Sequence, residues 1–145
     1  MKKIIFLLLC APCFWLTSDA QSVKYCSSEN VAIKGYDPVA YFIQNQAMEG
    51  TDQFTTEWSG SKWKFISQAN LDRFKKDPSK YAPQYGGYCA YGCSENHKSA
   101  TDPKAFTIIN DKLYLNYNVK VKEIWLQDTA KRINAADHFW PALNN

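Results

Sequence analysis

VAIKGYDPVAYF, at Val31–Phe42, and PSKYAPQYGGYCAYG, at Pro78–Gly92, are the stretches on which the reading of this chain turns. In the second, Tyr81, Tyr85, Tyr88 and Tyr91 recur every three or four residues, with Gly86, Gly87 and Gly92 between them. Such a density of Gly, Pro and Tyr does not suit an ordinary helix or strand. Glycine permits positive φ and close backbone approach, and tyrosine carries an apolar body with a polar tip. The segment therefore builds a shaped, partly buried surface. Tyr36, Tyr85, Tyr88, Cys89 and Tyr91 are its candidate ligand-binding residues, since small-molecule sites are largely aromatic with few polar groups. The same tyrosines, with Tyr41, Trp58 and Trp63, equally suit the core of a compact domain.

Working outward, Val31–Lys34 reads as a short strand. Asp37-Pro38 reads as the N-cap and first residue of a helix through Phe42. Phe54–Trp58 and Lys62–Ile66, separated by Ser59-Gly60-Ser61, form a hairpin signal. Ser67 caps a helix over Gln68–Asp77, in which Leu71 and Phe74 face inward and which Pro78 stops. Phe106–Ile109 and Leu113–Asn116 flank Asn110-Asp111-Lys112 as a second hairpin. Asn118 caps a helix through Gln127, with Val121, Trp125 and Leu126 on one face. A last helix starts near Thr129, turns Ile133, Ala136 and Phe139 inward, and closes at Pro141. The expected fold is a small α+β domain with two β-hairpins and several short helices. It spans 31–143, after a polar leader over 21–30. No disordered or repetitive segment and no internal domain boundary is visible.

The two quoted segments, with WSGSKWKFISQANLDRFKKDPSKYA between them, resemble the YHS domain family in its secreted, single-domain bacterial form. The resemblance runs from about Val31 to Leu143. It implies a fold more than an activity. Family members of the metal-binding type are similar to a D-P-V-C opening followed by F-C-S-x-x-C-x-x-x-F. Here the opening is Asp37-Pro38-Val39-Ala40, and the second element runs from Phe65 through Ile66 and Asn70 to Phe74. Alanine, isoleucine and asparagine stand where that pattern has cysteine. Soft-metal sites need thiolate or imidazole ligands, so the resemblance implies a retained scaffold with its metal site erased. Cys89 lies in a YGGYCAY motif similar to that of the secreted members, whereas Cys93 stands where the resemblance leads one to expect a small apolar residue.

Residues 1–20 read as a secretory signal peptide. Lys2 and Lys3 form a basic start, an apolar stretch begins at Ile4–Leu9, and Ser18 and Ala20 place small residues before a cleavage at Gln21. The apolar run is shorter than the roughly 20 residues a membrane span requires. Export to the periplasm or the cell exterior follows as an expectation. Loss of Lys2, Lys3 and Asp19 takes the formal net charge from +3 to +2. With no cluster of basic residues beyond Lys75-Lys76, nucleic acid is a poor partner. An unknown small ligand or a protein is left.

Three of the five cysteines follow the expected cleavage: Cys26, Cys89 and Cys93. Cys89, Cys93 and His97, spaced four residues apart, are candidate ligands for Cu or Zn. On a helix they would share one face, but the neighbouring glycines argue against a regular helix. An oxidising compartment allows one disulfide among three cysteines. The resemblance points to Cys26–Cys93, because both lie where the chain departs from the family pattern. That bond and the metal site exclude each other. His138 and Asp137 are adjacent on a helix and point in different directions. No nucleophile elbow, phosphate loop or HExxH motif occurs. The leading expectation is a non-enzymatic module that binds a small ligand or a soft metal. The alternatives are a thiol-dependent enzyme or redox protein using Cys89, and a purely structural domain.

Overall fold

A computed structural model describes residues 25–145. The expected signal peptide and Gln21, Ser22, Val23 and Lys24 lie outside the described residues. Strand β1 (Ser27–Ser28) pairs antiparallel with β2 (Val31–Ala32), which lies parallel to β4 (Ser61–Phe65); β4 in turn pairs antiparallel with β3 (Thr51–Trp58). The four strands run in the order β1-β2-β4-β3. A second, two-stranded sheet joins β5 (Asp102–Ile109) to β6 (Lys112–Asn116). This is an α+β architecture, as the sequence leads one to expect; beside the two expected hairpins, β3–β4 and β5–β6, strands β1 and β2 form a short third one around Glu29-Asn30.

Both longer hairpins turn in two residues of positive φ, Ser59 (50°) with Gly60 (74°) and Asn110 (50°) with Asp111 (56°). Paired left-handed residues match the right-handed twist of the flanking strands. Each hairpin also carries a register irregularity, between Thr51 and Thr55 in one and between Asp102 and Phe106 in the other.

Alternation along β4 buries Ser61, Trp63 and Phe65. Helix α2 (Gln68–Lys76) lays Leu71 and Phe74 over them, with Phe74 5.0 Å from the Trp63 ring and 5.2 Å from Phe65. Fully burying each such side chain contributes about 1.5–3 kcal/mol. A second core gathers Tyr85, Ala90, Cys93, Tyr114, Trp125 and Ala136. Strand β6 serves both. Leu113 and Leu115 belong to the first core and Tyr114, between them, to the second, as the two faces of a strand require.

The helices follow their capping signals. Ser67 Oγ accepts from Asn70 N at 3.2 Å, and Asn118 Oδ1 accepts from Val121 N at 2.9 Å to open α5 (Val119–Leu126). Several boundaries differ from expectation. Val31–Lys34 is not one strand, because Ile33, Lys34 and Gly35 turn left-handed at φ 50°, 51° and 85°. Helix α1 (Ala40–Ile43) begins after Pro38, with Asp37 taking the N–H groups of Val39 and Ala40. Pro78 ends α2 but also opens α3 (Pro78–Tyr81), because proline suits a first helical turn. Helix α4 (Ala90–Ser94) forms despite Gly92. Helix α6 (Thr129–Leu143) runs through Pro141. On α5, Trp125 is fully buried while Leu126 is 44% exposed, so Leu126 does not share the inward face. No helix among the described residues is long and apolar enough to cross a membrane.

Candidate functional site

The three positions where the metal-binding pattern has cysteine meet in space, around Asp37. Its carboxylate is fully buried. Oδ1 accepts from Val39 N (2.8 Å) and Ala40 N (3.2 Å); Oδ2 accepts from Ile66 N (2.9 Å) and Asn70 Nδ2 (2.7 Å). Four donors saturate a carboxylate and make its burial tolerable. The group also ties the start of α1 to the end of β4 and to α2. A metal ion does not fit there. Ala40 and Ile66 carry no donor atom, and the Asn70 amide is committed to Asp37.

A second convergence lies at Cys89, which is 2% exposed. Its Sγ accepts from Tyr117 N at 3.2 Å and from Gly92 N at 3.4 Å. Asn116 Oδ1 lies 3.7 Å from the sulfur and takes the Tyr91 N–H at 3.2 Å. The sulfur thus stands among backbone amides and a buried side-chain amide, not in the purely aromatic surroundings its sequence neighbours suggest. It opens onto a surface cavity of about 260 Å³, whose other walls are Tyr91, Gly92, His97, Ser99, Tyr117 and Val121. A Cβ built on Gly92 would come within 3.2 Å of His97 Nε2 and 3.3 Å of Ser99 Oγ. Glycine at that position therefore keeps the wall clear of the imidazole.

The expected site residues divide. Cys89, Tyr91 and His97 line the cavity; Tyr36, Tyr85, Tyr88 and Cys93 are not among its walls. Tyr85 is buried, and its hydroxyl donates to Asp137 Oδ1 at 2.8 Å. Burial first, and then Asp137, pushes its ionisation far up. Tyr36 leans on the Glu49 carboxylate. Tyr88 lies beneath Lys98, whose Nζ is 5.1 Å from the ring centre. The Arg132 guanidinium stacks 4.3 Å over Tyr91, donates to Ser94 Oγ and pairs with Glu95, so α6 steadies one wall of the cavity.

Cys93 is fully buried in the second core. Desolvation, with Cys89 adding to it and Lys98 opposing, pushes its thiol up to about 12. Among the described residues no three His, Cys, Asp or Glu side chains gather as a metal-holding group. Cys89, Cys93 and His97 therefore do not converge. Cys89 caps helix α4 and Cys93 lies within it, with Cys93 N donating to Cys89 O at 2.9 Å, but the helix ends before His97. The structure carries Cys26, Cys89 and Cys93 as free thiols. Cys26 donates its N–H to Gly86 O at 2.6 Å, and burial pushes its thiol up. His138 is exposed on α6.

Tyr117 and Val121 have no signal in the sequence, because they come from the end of β6 and from α5, far along the chain from Cys89. The Tyr91 N–H to Asn116 Oδ1 and the Tyr117 N–H to Cys89 Sγ hold β6 against α4 and bring them there. Among known families, the YHS domain matches residues 39–85. No curated protein and no solved structure matches the chain significantly.

Proposed function

We propose, from the premise that the YHS domain matches residues 39–85, that the chain is an exported binding module whose ligand sits at Cys89. The observation that carries this is the approach of a buried, amide-oriented sulfur and an imidazole to one cavity of about 260 Å³. A thiolate and an imidazole suit a soft cation, and Cu(I) accepts so small a donor set. Export rests on the N-terminal segment alone, and loss of residues 1–20 in the intact mass of secreted protein is its measurement.

The ligand assignment is tested by Cu(I) titration against a colorimetric chelator under anaerobic, reducing conditions. Wild-type protein should take one equivalent. Cys89→Ser should remove it, His97→Ala should weaken it by about tenfold or more, and Cys93→Ala should leave it unchanged. Equal binding by wild type and Cys89→Ser would overturn the assignment. A second reading, thiol chemistry at Cys89, draws on the same nearness of His97. It requires alkylation of the folded protein as fast as that of the denatured chain; slow labelling favours the binding module.

A further inference from the structure

Resting on that reading of Cys89, we infer that its pocket is the open copy of a site the fold builds twice, and that Cys89 and Val121 are the two residues that open it. The closed copy is the knot around Asp37.

The repetition is one of backbone, register and caps. Every strand pair of the first hairpin returns in the second: Thr51 with Phe65 becomes Asp102 with Asn116, and Trp58 with Ser61 becomes Ile109 with Lys112. The register irregularity recurs at the equivalent place, Thr51/Thr55 and Asp102/Phe106. A helix follows each hairpin, capped by Ser67 in one and Asn118 in the other. Its buried aromatic stacks on the middle of the second strand. Trp63 and Phe74 lie 5.0 Å apart at 34°, and Tyr114 and Trp125 lie 5.3 Å apart at 39°. Ahead of each hairpin stands a left-handed triplet. Ile33-Lys34-Gly35 has φ 50°, 51° and 85°; Tyr85-Gly86-Gly87 has 53°, 58° and 76°. A tyrosine and then the acceptor residue follow each triplet, Tyr36-Asp37 and Tyr88-Cys89.

The acceptors sit in equivalent hydrogen bonds. Asp37 N donates to Met48 O at 2.8 Å and Cys89 N to Ser99 O at 3.0 Å. Each side chain takes the N–H three residues on, from Ala40 (3.2 Å) or Gly92 (3.4 Å). Each also takes the N–H of the first residue after the hairpin, Ile66 (2.9 Å) or Tyr117 (3.2 Å). The copies then part. Asn70, third in its helix, reaches Asp37 Oδ2 at 2.7 Å. Val121, third in the equivalent helix, has no polar atom and stops at the cavity wall. The family match ends at Tyr85, within the triplet that opens the second copy.

The test exchanges the two residues in the full chain. Cys89→Asp alone places a carboxylate before two amides and should lower Tm. Adding Val121→Asn supplies the missing donor and should restore at least about 3 °C, Cu(I) binding being lost already with the Cys89 thiol. Val121→Asn with Cys89 intact should give no such gain. Equal effects of Val121→Asn on both backgrounds would overturn the inference. The converse pair, Asp37→Cys with Asn70→Val, should yield one additional thiol that alkylates at the rate of Cys89. If wild type fails to bind Cu(I) while the exchange shows coupling, the ligand reading falls and the duplication stands. Binding without coupling has the opposite meaning.

Discussion

The two halves of the molecule use one backbone plan to opposite ends. Around Asp37, a carboxylate meets four donors, and the carboxylate, Val39, Ala40 and Asn70 are buried with Ile66 half-buried beside them. Around Cys89, a thiol meets two amides, and the space beyond it is left to His97, Ser99 and a short valine. The first arrangement can only hold elements together. The second keeps a sulfur oriented beside an opening. A carboxylate needs all its lone pairs filled when it loses water, whereas sulfur is a weak acceptor and tolerates partial pairing. The side chain at the acceptor position therefore decides whether the surrounding shell must close.

The sharpest way to break this comparison is at the aromatic that anchors each helix. Phe74→Ala and Trp125→Ala should each cost about 3–5 kcal/mol, as large-to-small changes in packed cores do. Both should lower one common denaturant transition, because β6 places Leu113 and Leu115 in one core and Tyr114 in the other. Two separate transitions would show that the halves unfold independently. Next in size is the acceptor itself. Asp37→Ala strands four donors and should cost about 3 kcal/mol, whereas Cys89→Ala strands two weakly held amides and should cost about 1 kcal/mol. Equal losses in chemical denaturation would erase the distinction between a closed and an open copy.

The last effect is an alkaline one, confined to high pH, and it belongs to the second half. The Cys93 thiol, ordinarily near 9.0, is pushed up to about 12 mainly by burial. Its folded value lies above its unfolded one, so above pH 9 the unfolded chain has released a proton that the folded chain retains. Stability from this group is thus complete below pH 9 and drains away as pH rises toward 12. Tyr85, raised by burial and by Asp137, acts in the same direction at higher pH. Cys93→Ala should flatten the fall in stability measured between pH 9 and 12. An unchanged profile would mean that the thiol ionises freely in the folded protein.

Much of the fold is local and was readable from residue chemistry. Ser59-Gly60 and Asn110-Asp111 specify tight hairpins, Ser67 and Asn118 specify helix starts, and the alternation of Trp63 and Phe65 specifies an inward face. The misreadings arose where local preference was overruled. Ile33 and Lys34 look extended, yet they take left-handed φ in a turn that Tyr36 N closes onto Ile33 O at 3.0 Å and that Gly50 N meets at Gly35 O at 2.8 Å. Pro141 looks like a stop, but α6 continues past it to Leu143, which packs on the second core.

The candidate site shows the same division. Composition and motif singled out Cys89, Tyr91 and His97, since each carries its chemistry in its own side chain. They could not show that Cys93 belongs to the core, or that Tyr117 and Val121 complete the pocket wall. The repetition was equally invisible. Ser67 and Asn118 or Phe74 and Trp125 are equivalent as caps or anchors without being alike as letters. Sequence by itself determined the two longer hairpins and the caps, and carried the resemblance to the YHS domain. Only tertiary structure decided that two such units exist and that one stands open, because hydrogen-bond register and burial are properties of paired chain segments, not of any residue alone.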